Sequence, residues 1–226
     1  MRLIYAVSIL LALMTSAQCQ LTAEDWFNRG NDFANQSKYD EAIEAWDEAI
    51  KLDPYHVAIW YNKGRALSEQ GKYDEAVRAY DEAITLDPNH VTAWYSKGNA
   101  FNNLAKYDEA IKAYDEAIRI DPNHVAAWNN KGLALGDQGK YDEAIKAFDE
   151  AIRLDPNLSA AWNNKGLALS SRSKYDEAIK AYDEAIRLDP NLAQAWNNKG
   201  VTLQHLGRTD EAGAAFTKAE ELGYTG

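Results

Sequence analysis

Between Tyr107 and Ile120 the apolar residues Ala110, Ile111, Tyr114, Ala117 and Ile118 recur at steps of three and four, the spacing of one face of an α-helix. Polar residues fill the opposite face, where Asp108 with Lys112 and Asp115 with Arg119 are expected as i,i+4 ion pairs worth about 0.2–0.5 kcal/mol each. A preceding amphipathic run, Val91 to Leu104, is separated from this helix only by Ala105-Lys106. The second run ends at Asp121-Pro122-Asn123, where Asp opens a turn and Pro fixes φ and offers no donor to continue the helix. Residues 91–124 are therefore predicted to form two antiparallel helices joined by tight turns.

The pattern repeats along the chain. Trp26, Trp60, Trp94, Trp128, Trp162 and Trp196 are each 34 residues apart, and so are Pro54, Pro88, Pro122, Pro156 and Pro190. Self-similarity at a fixed period of this length marks a stacked solenoid. Six units follow: 23–56, 57–90, 91–124, 125–158, 159–192 and 193–226. Within a unit, Gly98 lets the first helix approach the second at Ala110 and Ala117, and Tyr114 fills the wedge that remains. The tryptophans are read as packing residues.

The pattern of residues 1–22 differs. Arg2 is followed by an apolar run from Leu3 to Met14 and then by Thr15, Ser16, Ala17 and Gln18, the order of a secretory signal peptide. The run is shorter than the roughly 20 residues of a spanning helix, so cleavage and an exported, extracytoplasmic protein are expected. At Cys19 two fates stay open. It resembles the lipid-modified cysteine of a lipoprotein, which would give a membrane-anchored form, although Gln18 stands where such a signal wants a small residue. Cleavage after Ala17 instead leaves an exposed thiol.

Charge narrows the partners. The 35 acidic and 24 basic side chains give a net charge of −11, so the repeats are not expected to bind nucleic acid or a membrane surface directly. One cysteine and four histidines exclude a disulfide framework and a zinc module. His56, His90 and His124 fall at equivalent turn positions, too far apart to share one metal. No phosphate loop or nucleophile elbow appears. Catalytic, cofactor-binding and metal residues are accordingly expected to be none, and no cofactor is implied.

The units resemble tetratricopeptide repeats. Unit three carries Trp94, Gly98, Ala110, Tyr114, Ala117 and Pro122, and unit five carries Trp162, Gly166, Ala178, Tyr182, Ala185 and Pro190 in the same register. The resemblance implies an all-α fold, an α-solenoid of six helix-turn-helix repeats forming a right-handed superhelix. It further implies that the first helices line a concave groove binding a protein or extended peptide. The groove residues would be Phe27, Asn28, Tyr61, Asn62, Tyr95, Asn129, Asn130, Asn163, Asn164, Asn197 and Asn198. One version of the family clamps a carboxylate with basic residues beside the Trp, and that clamp is absent here. Another holds peptide backbone on a ladder of asparagines. Asn28, Asn62, Asn130, Asn164 and Asn198 match its position, with Ser96 in unit three; the same amides could instead bond within the fold.

Two further departures are visible. Where the family usually has Leu, this chain has Arg29, Lys63, Lys97, Lys131, Lys165 and Lys199. This basic row is read as stems covering apolar surface with their heads at water or an acidic neighbour, in preference to an anion site. At the ends, Gly213 and Glu220 replace the Ile of inner repeats, and Asp25 and Asp32 replace Ala, giving the polar outer faces that terminal repeats need. A monomer is expected, acting as a non-enzymatic scaffold. The alternatives are a structural component that self-associates into a homo-oligomer and an accessory domain to an enzyme.

Overall fold

The computed structural model describes residues 21–225, so most of the expected signal segment, Cys19 included, lies outside the described residues. Among them are twelve helices: α1 (Ala23–Asn35), α2 (Tyr39–Leu52), α3 (Val57–Glu69), α4 (Tyr73–Leu86), α5 (Val91–Asn103), α6 (Tyr107–Ile120), α7 (Val125–Asp137), α8 (Tyr141–Leu154), α9 (Ser159–Ser171), α10 (Tyr175–Leu188), α11 (Ala193–His205) and α12 (Thr209–Glu221). They pair as six helix-turn-helix repeats. The helices group into two compact units, α1 to α4 up to residue 86 and α5 to α12 from residue 87. None of the twelve is long and apolar enough to cross a membrane.

The same device closes the core of each repeat. A helical glycine on the first helix faces the wedge aromatic of the second, and a Cβ added at Gly98 would lie 2.5 Å from Cε1 of Tyr114. The same would happen at Gly166, 2.5 Å from Cε1 of Tyr182. No real side chain tolerates that approach, so glycine here is a packing requirement. Trp46, Tyr80, Tyr114, Phe148 and Tyr182 are thereby fully buried between alanines. Burial pushes the Tyr182 hydroxyl up to about 12.

The shared 34-residue spacing of Trp and Pro has a structural reason. From Trp60 onward, the indole Nε1 of each of the tryptophans spaced by 34 donates to the carbonyl of the proline that closes the preceding repeat, as in Trp128 to Pro122 (3.1 Å) and Trp162 to Pro156 (3.1 Å). In the turn, Asp121 Oδ1 accepts from the Asn123 amide at 3.0 Å, so Asp-Pro-Asn closes on its own side chain. The histidines do more than decorate these turns. His90 and His124 are N-caps of α5 and α7, and their Nδ1 atoms accept the amides of Ala93 (3.3 Å) and Ala127 (3.1 Å). At the start of α1, Thr22 and Asp25 form a capping box, which gives the outward-facing Asp25 a local role as well.

The turn inside each repeat needs one left-handed residue. Gly71, Gly139 and Gly207 supply it at φ near +73 to +75°, whereas Ser37, Ala105 and Ser173 are held there at φ 54 to 60°.

The expected i,i+4 ion pairs are replaced by contacts that reach other partners. Asp115 pairs with Lys131 of the next repeat at 2.6 Å, Arg119 turns back to Glu116 at 2.8 Å, and Asp108 accepts from Gln138 at 2.8 Å. The next repeat brings cations and amides within reach of these aspartates, and its fixed geometry outcompetes a flexible partner one turn along. Such contacts hold carboxyls below the usual range: Asp40 through Gln70 and then Lys72, and Asp108 through Gln138 and then Lys140. A depressed folded pKa adds stability that is fully present above the unfolded value of 3.8 and is lost as pH falls through the lower folded value. The melting temperature is therefore expected to drop on acidification from about pH 5 to about pH 3. Gln70→Ala with Gln138→Ala should flatten that drop in a pH series of thermal melts.

Candidate functional site

The first helices of residues 87–225, namely α5, α7, α9 and α11, carry the residues read as a groove, and their side chains meet in an order the sequence does not announce. Asn198 donates from Nδ2 to Oδ1 of Asn163 (3.0 Å), and Asn163 donates to Asn164 (3.4 Å). Asn164 donates to Asn129 (3.2 Å), and Asn129 to Asn130 (3.1 Å). Asn130 then donates both to Tyr95 Oη (3.1 Å) and to Asn99 Oδ1 (3.0 Å). Asn99 also accepts the Tyr114 hydroxyl at 2.8 Å. One amide chain thus runs across four repeats, with every link between repeats donating toward the preceding repeat. Bonds arranged head to tail polarise one another, and each link that is buried would be costly to leave unmade.

The two asparagines after each Trp therefore have distinct parts. The second, at 130, 164 and 198, reaches to the preceding repeat, and the first, at 129 and 163, receives that bond and hands it along its own helix. Asn163 is only 5% exposed. Asn197, in the last repeat, lines a separate hollow with Phe216, Glu220 and Tyr224. An Asn amide has two N–H groups and two acceptor sites, so links such as Asn164 keep one N–H for another molecule. Asn99 was not among the residues singled out from sequence, since it stands where later repeats have Leu133, Leu167 and Val201. Because Asn164 and Asn198 supply the inter-repeat donors, replacing both with Ala should lower the unfolding free energy by about 1–3 kcal/mol. Denaturant melts would check this; an unchanged midpoint would mean that the chain of amides contributes nothing to the fold.

In residues 21–86 the corresponding side chains are arranged differently. Phe27 lies against His56 with ring centroids 5.0 Å apart, and Tyr61 packs at 6.0 Å from Tyr80. Asn62 donates to Asn31 (3.0 Å), while Asn28 bonds Glu24 within its own helix (3.2 Å). Tyr95 of α5 repeats the first of these contacts, 4.9 Å from His124. The aromatic half of the expected groove is thus partly spent on the histidines that end the same repeats.

The basic row has its heads engaged. Lys131, Lys165 and Lys199 pair with Asp115, Asp149 and Asp183 at 2.6–2.7 Å, and Lys63 pairs with Asp47. Their ammonium groups also lie 5.3–5.7 Å from the ring centres of Trp128, Trp162, Trp196 and Trp60. A row of neutralised cations over indole rings is a seam between repeats, in keeping with the sequence reading. On the first-helix face of residues 87–225, by contrast, Leu133, Leu167 and Val201 stand 37%, 42% and 40% exposed at equivalent positions, one beside each Asn pair. Exposed aliphatics in a row beside amides with spare donors form a surface suited to an extended chain.

Among curated proteins no relative matches the chain. Among solved structures it is similar to MamA (residues 41 to the end) from Desulfovibrio magneticus RS-1, with TM-score 0.69 and 25% identity, covering 74% of this chain and 94% of that one. It is similar to YrrB, described as a TPR protein with an unusual peptide-binding site, with TM-score 0.66 and 25% identity over 80% of this chain and 93% of that one. A likeness of fold alone extends to PilF of Pseudomonas aeruginosa, with TM-score 0.73 and 16% identity over 90% of this chain and 93% of that one. The family model for the tetratricopeptide repeat matches residues 27–89, 61–125, 95–159, 129–193 and 163–223. With the glycine–aromatic wedge, the Trp–Pro bond and the paired helices recurring through those same residues, the chain belongs to the tetratricopeptide repeat family.

Proposed function

We propose that the chain is an exported, non-enzymatic scaffold that binds an extended peptide or protein segment on the face made by α5, α7, α9 and α11. The observation that carries this reading is the row Leu133, Leu167 and Val201, exposed beside an amide chain in which Asn164 and Asn198 each keep an unused N–H group. Three aliphatic side chains at equivalent places can take apolar groups of a partner, and the amides can take its backbone. The peptide-binding site described for YrrB supports the same kind of use. Export rests on the apolar run after Arg2, and sequencing the N-terminus of the protein recovered from its native cell would test it: an intact Met1 in the mature form refutes cleavage.

Since the lysines beside this face are paired, affinity should fall with salt by no more than one exposed ion pair contributes. The test is selection from a random-peptide phage library, followed by anisotropy of the selected peptides at low and high salt. The variant Leu133→Asp, Leu167→Asp, Val201→Asp should lose most of that binding with its melting temperature held. Equal binding by this variant, or affinity that collapses with salt, would place the site elsewhere.

A further inference from the structure

The face between α7 and α9 is interrupted at one place. A cleft of 180 Å³ opens there, lined by Leu133, Gly136 and Asp137 of α7, by Asn164 and Leu167 of α9, and by Tyr141 and Phe148 of α8. Two departures from the repeat pattern shape it. The position of Gly136 holds Ala34, Ser68, Asn102, Ser170 and Gln204 in the other repeats, and that of Phe148 holds Tyr in repeats two, three and five. In repeats two and three polar atoms close the equivalent region, where Ser68 Oγ meets Tyr80 Oη at 3.2 Å and Tyr114 Oη donates to Asn99 at 2.8 Å; the equivalent hollow beside Ala34 and Trp46 of repeat one stays open, lined there by the polar Asn31, Asn35, Arg65 and Glu69. Phe148 has no hydroxyl to offer and Gly136 no side chain, and a Cβ added at Gly136 would meet nothing within 4 Å. A glycine inside a helix is less favourable than Ala by about 1 kcal/mol, and here no neighbour demands it. What it leaves is space.

We infer that this cleft is a specificity pocket for one large apolar side chain, such as Leu, Met or Phe, of a bound peptide in which a Lys or Arg stands next to that residue. The inference rests on the peptide-binding reading and deepens it. Size and lining set the first requirement: an apolar cavity of about 150 Å³ takes up a benzene molecule, so this one has room for a single aromatic or long aliphatic group. Asn164 in the wall gives one N–H to Asn129 and keeps the other for the peptide backbone. Charge sets the second requirement. Asp137 is the one charged residue of the lining, it is exposed, and among the described residues it makes no ion pair. A cation beside the inserted side chain would complement it.

The random-peptide library tests this with the parent chain, the triple Asp variant and three single variants. Selection on the parent should enrich a large apolar residue adjacent to Lys or Arg. Synthetic copies of the enriched peptides should bind Gly136→Leu, which occupies the cleft, at least about tenfold more weakly. Leu167→Asn, at an exposed site, should weaken them as well and guards against a fold effect of the first variant. Asp137→Asn should remove the preference for the basic neighbour alone. If enriched peptides lose binding to the triple Asp variant but bind Gly136→Leu as well as the parent, the pocket is overturned while the groove reading stands. If no peptide is enriched, both fall. If the parent sediments as a dimer that Gly136→Leu dissociates, the cleft belongs to a contact between copies and the inference is overturned.

Discussion

Tyr114→Ala is expected to lower the unfolding free energy by about 3–5 kcal/mol, the range for emptying a large aromatic from a closed core. Tyr114 is 1% exposed, its ring covers Gly98, and its hydroxyl supplies one of the two bonds that saturate Asn99. Burial raises the pKa of that hydroxyl, so it stays a donor across the neutral range. Truncation therefore removes both the packing against Ala110 and Ala134 and an end of the amide chain. Tyr114→Phe keeps the packing and should cost only about 0.5–1.5 kcal/mol. Lys112→Ala, on the exposed side of the same helix, should stay within about 0.5 kcal/mol. Denaturant melts of the three variants discriminate sharply, because similar small losses for Tyr114→Ala and Lys112→Ala would mean that the helical register is misassigned.

The second large effect concerns association. In α10, Ile179 is buried against Leu203 of the following repeat, and its equivalent in α12 is the exposed Gly213. Ile186 likewise becomes the exposed Glu220, and Asp183, which holds Lys199, becomes Thr217. The outer face of α12 has thus lost both the apolar and the ionic half of the contact used between inner repeats. Gly213→Ile with Glu220→Ile restores the apolar half, and each Ile would gain about 1.5–3 kcal/mol on burial against another copy. The double variant should therefore show a weight-average mass that climbs with concentration in sedimentation equilibrium, while the parent's does not. A variant as monomeric as the parent at high concentration would show that this face does not define the end of stacking.

The sequence carried the fold because its determinants are local and repeated. α6 begins at Tyr107 and ends at Ile120 as its apolar spacing predicts, and the Gly98–Tyr114 wedge lies where small and aromatic residues alternate. What was not legible depends on neighbours that are distant in sequence. Asp115 offers an equally good partner at Arg119 and at Lys131, and only the stacking of the next repeat selects the latter. His90 and His124 look like surface turn residues until their Nδ1 atoms are seen accepting helix amides, a role usually filled by Ser, Thr, Asp or Asn. Ala105 gives no hint of its left-handed backbone, whereas Gly71 and Gly139 do. For the candidate site, the asparagines were visible as a column, but both the peptide and the internal reading fitted the same letters. Their bonding order is set by a first amide that accepts and a second that reaches back, which needs coordinates. The cleft at Gly136 is an absence, and an absence signals itself only against the other repeats.

The direction of the amide chain also bears on how such a protein can be lengthened. Repeats four and five present the same interface upstream and downstream: an Asn that reaches back and an Asn ready to be reached. A tandem duplication of either, by unequal crossing-over, would drop a copy into register with no link mismatched, and the inserted segment would be stapled on both sides from the first generation. Repeat three behaves otherwise. Its Asn99 is already filled by Tyr114 and Asn130, and Ser96 stands in place of the back-reaching amide, so it terminates the series instead of passing it on. Genetic growth of the array is therefore permitted inside its second half, where each added repeat also adds one more aliphatic step to the exposed row.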